Sequence, residues 1–344
     1  MKAVYHFFRL IRSTNLLVIS LTMVVFQLFI SKYLLVSVEG KWDNFSFYEL
    51  FKDVILTDFG FLLLMLSTLL IAAAGNIIND YFDVKADRVN KPERLIVGKH
   101  IKRRWAMVLH WFFNSSGILI AAYLAYVHKN WWILLISFIS INLLWFYSSV
   151  YKRKFLSGNL MVAFLIFLVP IYVLVFNLNH LSIDNELNYL FDPSSFIIYT
   201  TLIIAGIAFL SNLIREIIKD IADVRGDMHI GAKTIPIQMG IKKAKIILII
   251  LIIPLLVLCL YYLFYVHYFN FNILEGSTMG LLDNQIPITP IHFNYFGISI
   301  WGAAILILAS LITLLLSAKR KFYILSSNLL KLAMFFGLIS PLFL

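Results

Sequence analysis

Long apolar blocks, broken at intervals by polar residues, run the length of this chain. Nine of them reach the ~20 residues that span a bilayer as a helix. They cover roughly 15–36, 55–80, 105–127, 131–150, 158–178, 194–218, 244–266, 293–317 and 322–342. The pattern predicts an all-α, polytopic membrane protein with nine transmembrane helices. The segment 37–54, between the first two, has room for a short interfacial helix. No Gly/Ser linker or low-complexity tract divides the blocks, so residues 1–344 read as a single membrane-embedded domain.

Composition sharpens this reading. The chain is 61% hydrophobic and 14% charged, whereas soluble domains average about 45–50% and about 25%. Its one cysteine, Cys259, excludes an internal disulfide and lies in an apolar run, as an inert packed thiol does. The histidines are scattered without ligand spacing, which argues against a histidine-built zinc or iron site. A net charge of +11 would suit nucleic acid, but its placement points to a membrane instead. Of the 29 basic residues, 24 lie at Lys2–Arg12, Lys85–Arg104, Lys152–Lys154, Arg215–Lys245 and Lys319–Lys321. With the N-terminus inside, those are the N-terminal segment and the loops after spans 2, 4, 6 and 8, as the cytoplasmic bias of Lys and Arg requires. Acids mark the opposite loops: Glu39, Asp43, Glu49, Asp53 and Asp58; Asp184, Glu186 and Asp192; Glu275 and Asp283. The N-terminus is basic, then apolar, with no small-residue cleavage site, so it reads as the first span rather than a removable signal. The expectation is a multi-pass integral protein, in the inner membrane if the source is bacterial, with its chemistry facing the cytoplasm.

That chemistry is carried by a spacing that occurs twice. Asn76, Asp80, Asp83 and Asp87 stand at i, i+4, i+7 and i+11, and Glu216, Asp220, Asp223 and Asp227 repeat the intervals. On a helix each set occupies one face. Each comes at the inner end of an even-numbered span. Stacked carboxylates repel by roughly 0.2–0.5 kcal/mol per pair even in water, and ionisable residues beside hydrocarbon are functional by default. Mg²⁺, a hard cation, binds through one or two carboxylates plus substrate phosphates. The eight residues are therefore candidate Mg²⁺ ligands, two facing patches able to grip one diphosphate. Arg88, Lys91 and Arg94 follow the first set and would add charge-assisted hydrogen bonds to phosphate oxygens. Between spans 4 and 5 lies Tyr147-Ser-Ser-Val-Tyr151-Lys152-Arg153-Lys154, then Gly158-Asn159. Lys152 could reach the same diphosphate, although three basic residues on an inner loop are also what orientation alone demands. Gly226 and Gly231 are expected to end the second helix and start a turn over the site. The competing reading of both ladders is a solvated span end whose acids offset neighbouring Lys and Arg.

The motif Asn76-x3-Asp80-x2-Asp83-x3-Asp87, with a second acid motif after span 6, resembles the UbiA superfamily of intramembrane prenyltransferases. The resemblance implies nine helices around a central cavity, in which Mg²⁺ helps ionise a polyprenyl diphosphate and the allylic cation passes to a lipophilic acceptor. It carries over Asn76, Asp80, Asp83 and Asp87, then Asp220, Asp223 and Asp227, with Glu216 where many members have Asp. Tyr147 and Lys152 fit the inter-motif tyrosine and lysine. Asp80, Asp83, Asp223, Tyr147 and Lys152 thus become the candidate catalytic residues. The stretch from Arg215 to Pro236 is most similar to digeranylgeranylglyceryl phosphate synthases, which prenylate the remaining hydroxyl of a prenylated glycerol phosphate. A phosphate-bearing acceptor would give Arg215 and Lys219 a purpose as anchors; salt bridges to Glu216 and Asp223 at helix spacing compete with that reading. Leu95 stands where a proline often follows the arginine at position 94, and Ile235 where leucine is common. The rivals are prenylation of an aromatic acceptor in quinone biosynthesis and a lipid-diphosphate transporter. Membrane phosphatidyltransferases also pair acid motifs, but their Asp-Gly-x2-Ala-Arg is absent here.

Overall fold

The structure, a computed structural model, describes residues 2–39, 58–90, 95–181, 193–229, 231–278, 295–316 and 319–344. It describes their side chains except at 2–3, 35–39, 85–87, 89–90, 180, 193, 229 and 269–278. Ten helices follow in chain order: α1 (Lys2–Leu10), α2 (Ser13–Glu39), α3 (Phe59–Asn90), α4 (Arg103–Val127), α5 (Trp132–Phe146), α6 (Ser157–Asn177), α7 (Pro193–His229), α8 (Ile235–Thr278), α9 (Tyr295–Leu316) and α10 (Arg320–Ile339). Among the described residues there is no β-strand, and nine helices, α2 to α10, are long and apolar enough to cross a membrane. The nine expected spans are therefore all present, and they place the chain among multi-pass membrane proteins.

The differences lie at the ends. The short amphipathic α1 had no counterpart among the predicted elements. Its Leu10 is fully buried and packs with Ile11, Ala73, Ile77, Val84, Ile96, Val97 and Ala106. That cluster fastens α1 to α3 and to the segment before α4. Arg12, at φ 53°, turns the chain from α1 into α2. The predicted sixth span, 194–218, is the apolar part of a helix that continues to His229. Before the seventh span the chain is helical from Ile235 and kinks at Gly240, whose φ is 82°. Residues 40–54 of the expected interfacial helix lie outside the described residues.

Neighbours in sequence are mostly neighbours in space. α3 packs on α4 and α5, α6 on α2 and α7, α7 on α8 and α10, and α9 on α10. Since lipid is as apolar as leucine, hydrogen bonds and close approach hold such helices together. Ser67 on α3 donates to the Gly117 carbonyl of α4 at 2.8 Å. Asn177 at the end of α6 donates to Gln27 of α2 at 2.8 Å, both buried. Outward faces stay greasy: Ile250, Val257 and Phe264, one heptad apart on α8, are each about 60% exposed. Lipid is their solvent.

Candidate functional site

Helix length brings the acid ladders out of the apolar core. At 1.5 Å per residue, the 32 residues of α3 extend about 48 Å and the 37 of α7 about 55 Å. The hydrocarbon layer is ~30 Å thick. The surplus is the polar end of each helix, and the ladders occupy it.

On α3, Asn76 Nδ2 donates to the Ile11 carbonyl at 2.9 Å. Asp80 Oδ1 accepts from Arg12 Nη2 at 2.9 Å. Asp83 is paired with Lys152 Nζ, and Arg153 stands 3.7 Å from its other oxygen. Lys152 also donates to Asn79 Oδ1 at 2.8 Å. Arg88 is exposed at the end of the helix. The side chain of Asp87, and Lys91 and Arg94 entirely, lie outside the described residues.

On α7, Glu216 Oε1 accepts from Arg215 Nη1 at 3.1 Å and from Lys219 Nζ at 2.6 Å. The intrahelical bridge to Glu216 is thus formed as the competing reading expected. Asp223, by contrast, is taken by Arg320 Nη2 from the start of α10, at 2.8 Å. Asp220 Oδ2 accepts from Asn159 Nδ2 on α6 at 2.8 Å. Asp227, two turns further on, adds its negative charge to the field at Asp220.

The segment between α5 and α6 joins the two ladders. Tyr147–Tyr151 form one turn of π-helix, in which the Lys152 amide donates to the Tyr147 carbonyl at 2.9 Å. π turns inside longer helices recur at functional sites. Tyr147 lies in the electrostatic field of Glu216 and Asp220 from one ladder, of Asp83 from the other, and of Arg12. The Lys233 amide, just beyond the second ladder, donates to the Arg153 carbonyl at 2.8 Å. Gly158 is the close-packed floor of this junction: a Cβ there would come within 2.8 Å of the Tyr151 carbonyl oxygen and 3.1 Å of Lys152 Cα. Gly231, at φ 68°, supplies the left-handed residue after α7. Gly226 does not end the helix as expected. It stays helical, and it faces open space.

The donor set is all oxygen and suits Mg²⁺. Among the described residues no three carboxylates, histidines or cysteines form a ready cage. Arg12, Asn79, Asn159 and Arg320 belong to this constellation but were not among the candidates. Asn159 stands in the same inter-span segment as Lys152. Arg12 and Arg320 had been accounted for as orientation charges.

Residues 53–282, well over half of the chain, match the UbiA prenyltransferase family. The chain belongs to that family. Curated relatives in it are named digeranylgeranylglyceryl phosphate synthase. The one from Thermococcus kodakarensis is 32% identical over 186 residues, 54% of this chain and 59% of the relative. The one from Methanobrevibacter smithii is 36% identical over 196 residues, 56% of this chain and 62% of the relative. In these alignments the chain spans about 60% of the relatives' length. The UbiA fold extends further than the sequence match. A solved digeranylgeranylglyceryl phosphate synthase aligns with a TM-score of 0.63 at 22% identity, covering 99% of this chain and 98% of the other. An apo UbiA homolog from Aeropyrum pernix K1 aligns with a TM-score of 0.54 at 16% identity, covering 93% and 98%.

Proposed function

We propose that this protein transfers a polyprenyl group, geranylgeranyl by preference, from its diphosphate to the free hydroxyl of a prenylated glycerol phosphate, an ether-lipid synthesis that uses Mg²⁺. The observation that carries this reading is that both ladders reach the stretch from the end of α5 to the start of α6, where Lys152 pairs with Asp83 and Asn159 donates to Asp220. Membership of the UbiA family supports the reaction class. The names of the curated relatives and the Arg215–Pro236 motif support a phosphate-bearing acceptor. Residues 1–344 act as one domain, and the site opens to the cytoplasm, where the basic loops gather.

The chain's own groups divide the work. Asn76, Asp80, Asp83 and Asp87 on α3, and Glu216, Asp220, Asp223 and Asp227 on α7, would hold the Mg²⁺, which would supply positive charge to the diphosphate oxygens. Lys152, Arg88, Lys91 and Arg94 supply positive charge to the same oxygens, which favours the negative charge that develops there. Arg12 and Arg320 pair with Asp80 and Asp223 and offset the negative charge of those carboxylates. Arg215 and Lys219 anchor the acceptor's phosphate. The apolar, aromatic surroundings keep water from the allylic carbon, and the prenyl tail gains about 0.8 kcal/mol for each CH₂ it buries. The hydroxyl proton goes to a ladder carboxylate or to a diphosphate oxygen.

The test offers the purified protein geranylgeranyl diphosphate with geranylgeranylglyceryl phosphate and, side by side, hydroxylated aromatic acids. Product should form on the glycerol phosphate only, and should require Mg²⁺. Prenylation of the aromatic acids instead would assign the chain to quinone biosynthesis. Movement of intact diphosphate across a vesicle membrane, with no product at all, would make it a transporter.

A further inference from the structure

A groove of about 640 Å³ lies between Tyr81, which follows Asp80 on α3, and the first turns of α4. Its two ends differ in chemistry. Arg103 and Arg104 form a basic head at the start of α4, and Met107, Val108, Trp111 and Phe112 line the wall beyond them. From Arg103 to Ser115, at the far end, the helix rises about 18 Å. That is close to the half-thickness of a ~30 Å hydrocarbon layer. The groove thus runs from the interface to the depth of one leaflet. Trp111 and Phe112, which line it, are 58% and 62% exposed.

The arginines are placed to hold an anion. Arg103 lies over the Tyr81 ring, 4.6 Å from its centroid. Its guanidinium carries five N–H donors in a fork that matches a planar or tetrahedral oxyanion. Among the described residues neither Arg103 nor Arg104 is in a salt bridge. Lys99 and Lys102 are exposed just before them and add to the positive field.

We infer that this groove is a binding site for one anionic phospholipid of the cytoplasmic leaflet, its phosphodiester on Arg103 and Arg104 and an acyl chain along Met107, Val108, Trp111 and Phe112. Basic pockets between transmembrane helices at the cytoplasmic surface take anionic head groups, each nearby Arg or Lys strengthening the attraction. A zwitterionic lipid offers the same chains without the net charge, so the site discriminates by head group. The inference stands apart from the proposed reaction, because none of the lining residues belongs to a ladder.

Native mass spectrometry of the full-length protein, released from detergent with phosphatidylglycerol or phosphatidylcholine added, tests it. The wild type should retain one phosphatidylglycerol under activation that strips phosphatidylcholine. The R103Q/R104Q variant should lose that retained adduct by about tenfold or more. K242Q/K243Q, which removes an exposed basic pair near the start of α8, serves as the charge-matched control and should retain it. Thermal unfolding should agree, with phosphatidylglycerol raising the Tm of the wild type and of K242Q/K243Q but not of R103Q/R104Q. Equal retention in R103Q/R104Q overturns the inference. So does equal loss in both double variants, which would mean diffuse attraction to the basic surface, or equal retention of phosphatidylcholine.

Discussion

Lys152 is the residue on which the two sides of the site depend most directly. Its ammonium holds Asn79 and Asp83 of α3, while its backbone closes the π turn that carries Tyr147. Lys152→Ala removes that charge and leaves Arg153, 3.7 Å from Asp83, as the remaining basic partner. The expected loss in kcat is about a hundredfold or more, the scale seen when one preorganised donor is removed. Radiolabelled geranylgeranyl transfer would measure it, and near wild-type turnover would remove Lys152 from the reaction. Asp80→Ala and Asp223→Ala should each abolish transfer while the protein still elutes as a folded species in detergent. These acids pair with partly exposed arginines, and a surface ion pair contributes only about 0–1 kcal/mol to stability. Mg²⁺-dependent turnover surviving in either variant would count against the assignment. The pairings themselves were not legible in the sequence: Arg12 lies 68 positions from Asp80, and Arg320 lies 97 from Asp223. Spacing along a helix reports which side chains share a face. It says nothing about which distant cation arrives opposite.

At the level of elements, the spans were legible because a run of twenty apolar residues has few other uses, and the ladders because their spacing is helical. α1 escaped notice for a physical reason. Nine residues make about two and a half turns, too short to be stable alone. Its docking through Leu10 and Ile11 is a tertiary effect, and its basic residues already had an explanation. Gly226 misled in the opposite sense. A glycine inside a helix costs only about 1 kcal/mol relative to alanine, and α7 absorbs it three residues before its end. The π turn carries no signal in its own residues, Tyr-Ser-Ser-Val-Tyr, yet its contact with Gly158 gives a test. Gly158→Ala puts a methyl 2.8 Å from the Tyr151 carbonyl oxygen, so either the turn or the start of α6 must move. Because a shift of about 1 Å can cost a hundredfold in rate, transfer should fall steeply with little change in Tm. Gly226→Ala, which meets nothing within 4 Å, should leave transfer unchanged.

Across the whole molecule, the contacts that join the ladders among the described residues lie at the end where the basic loops gather, and the helices around them carry exposed apolar side chains. The single cysteine is buried in α8, so new thiols can map this polarity. With Cys259→Ala as background, Lys243→Cys and Lys321→Cys should react with a membrane-impermeant maleimide only from the cytoplasmic side. Labelling of either from outside would invert the proposed orientation and turn the site to the other face. The nine spans were readable from hydrophobic length alone. What the ladders meet was not, since it depends on the phase of one helix relative to another. That phase is where the wide turn at Tyr147–Tyr151 has its largest effect. One surplus residue advances the chain by about 100° compared with a regular α-helix. Drop a single residue, Val150 for instance, and the backbone would be tidier by every local criterion. The ammonium that now faces Asp83 would be turned away from it, and the contact that ties the end of α5 to the first ladder would be gone.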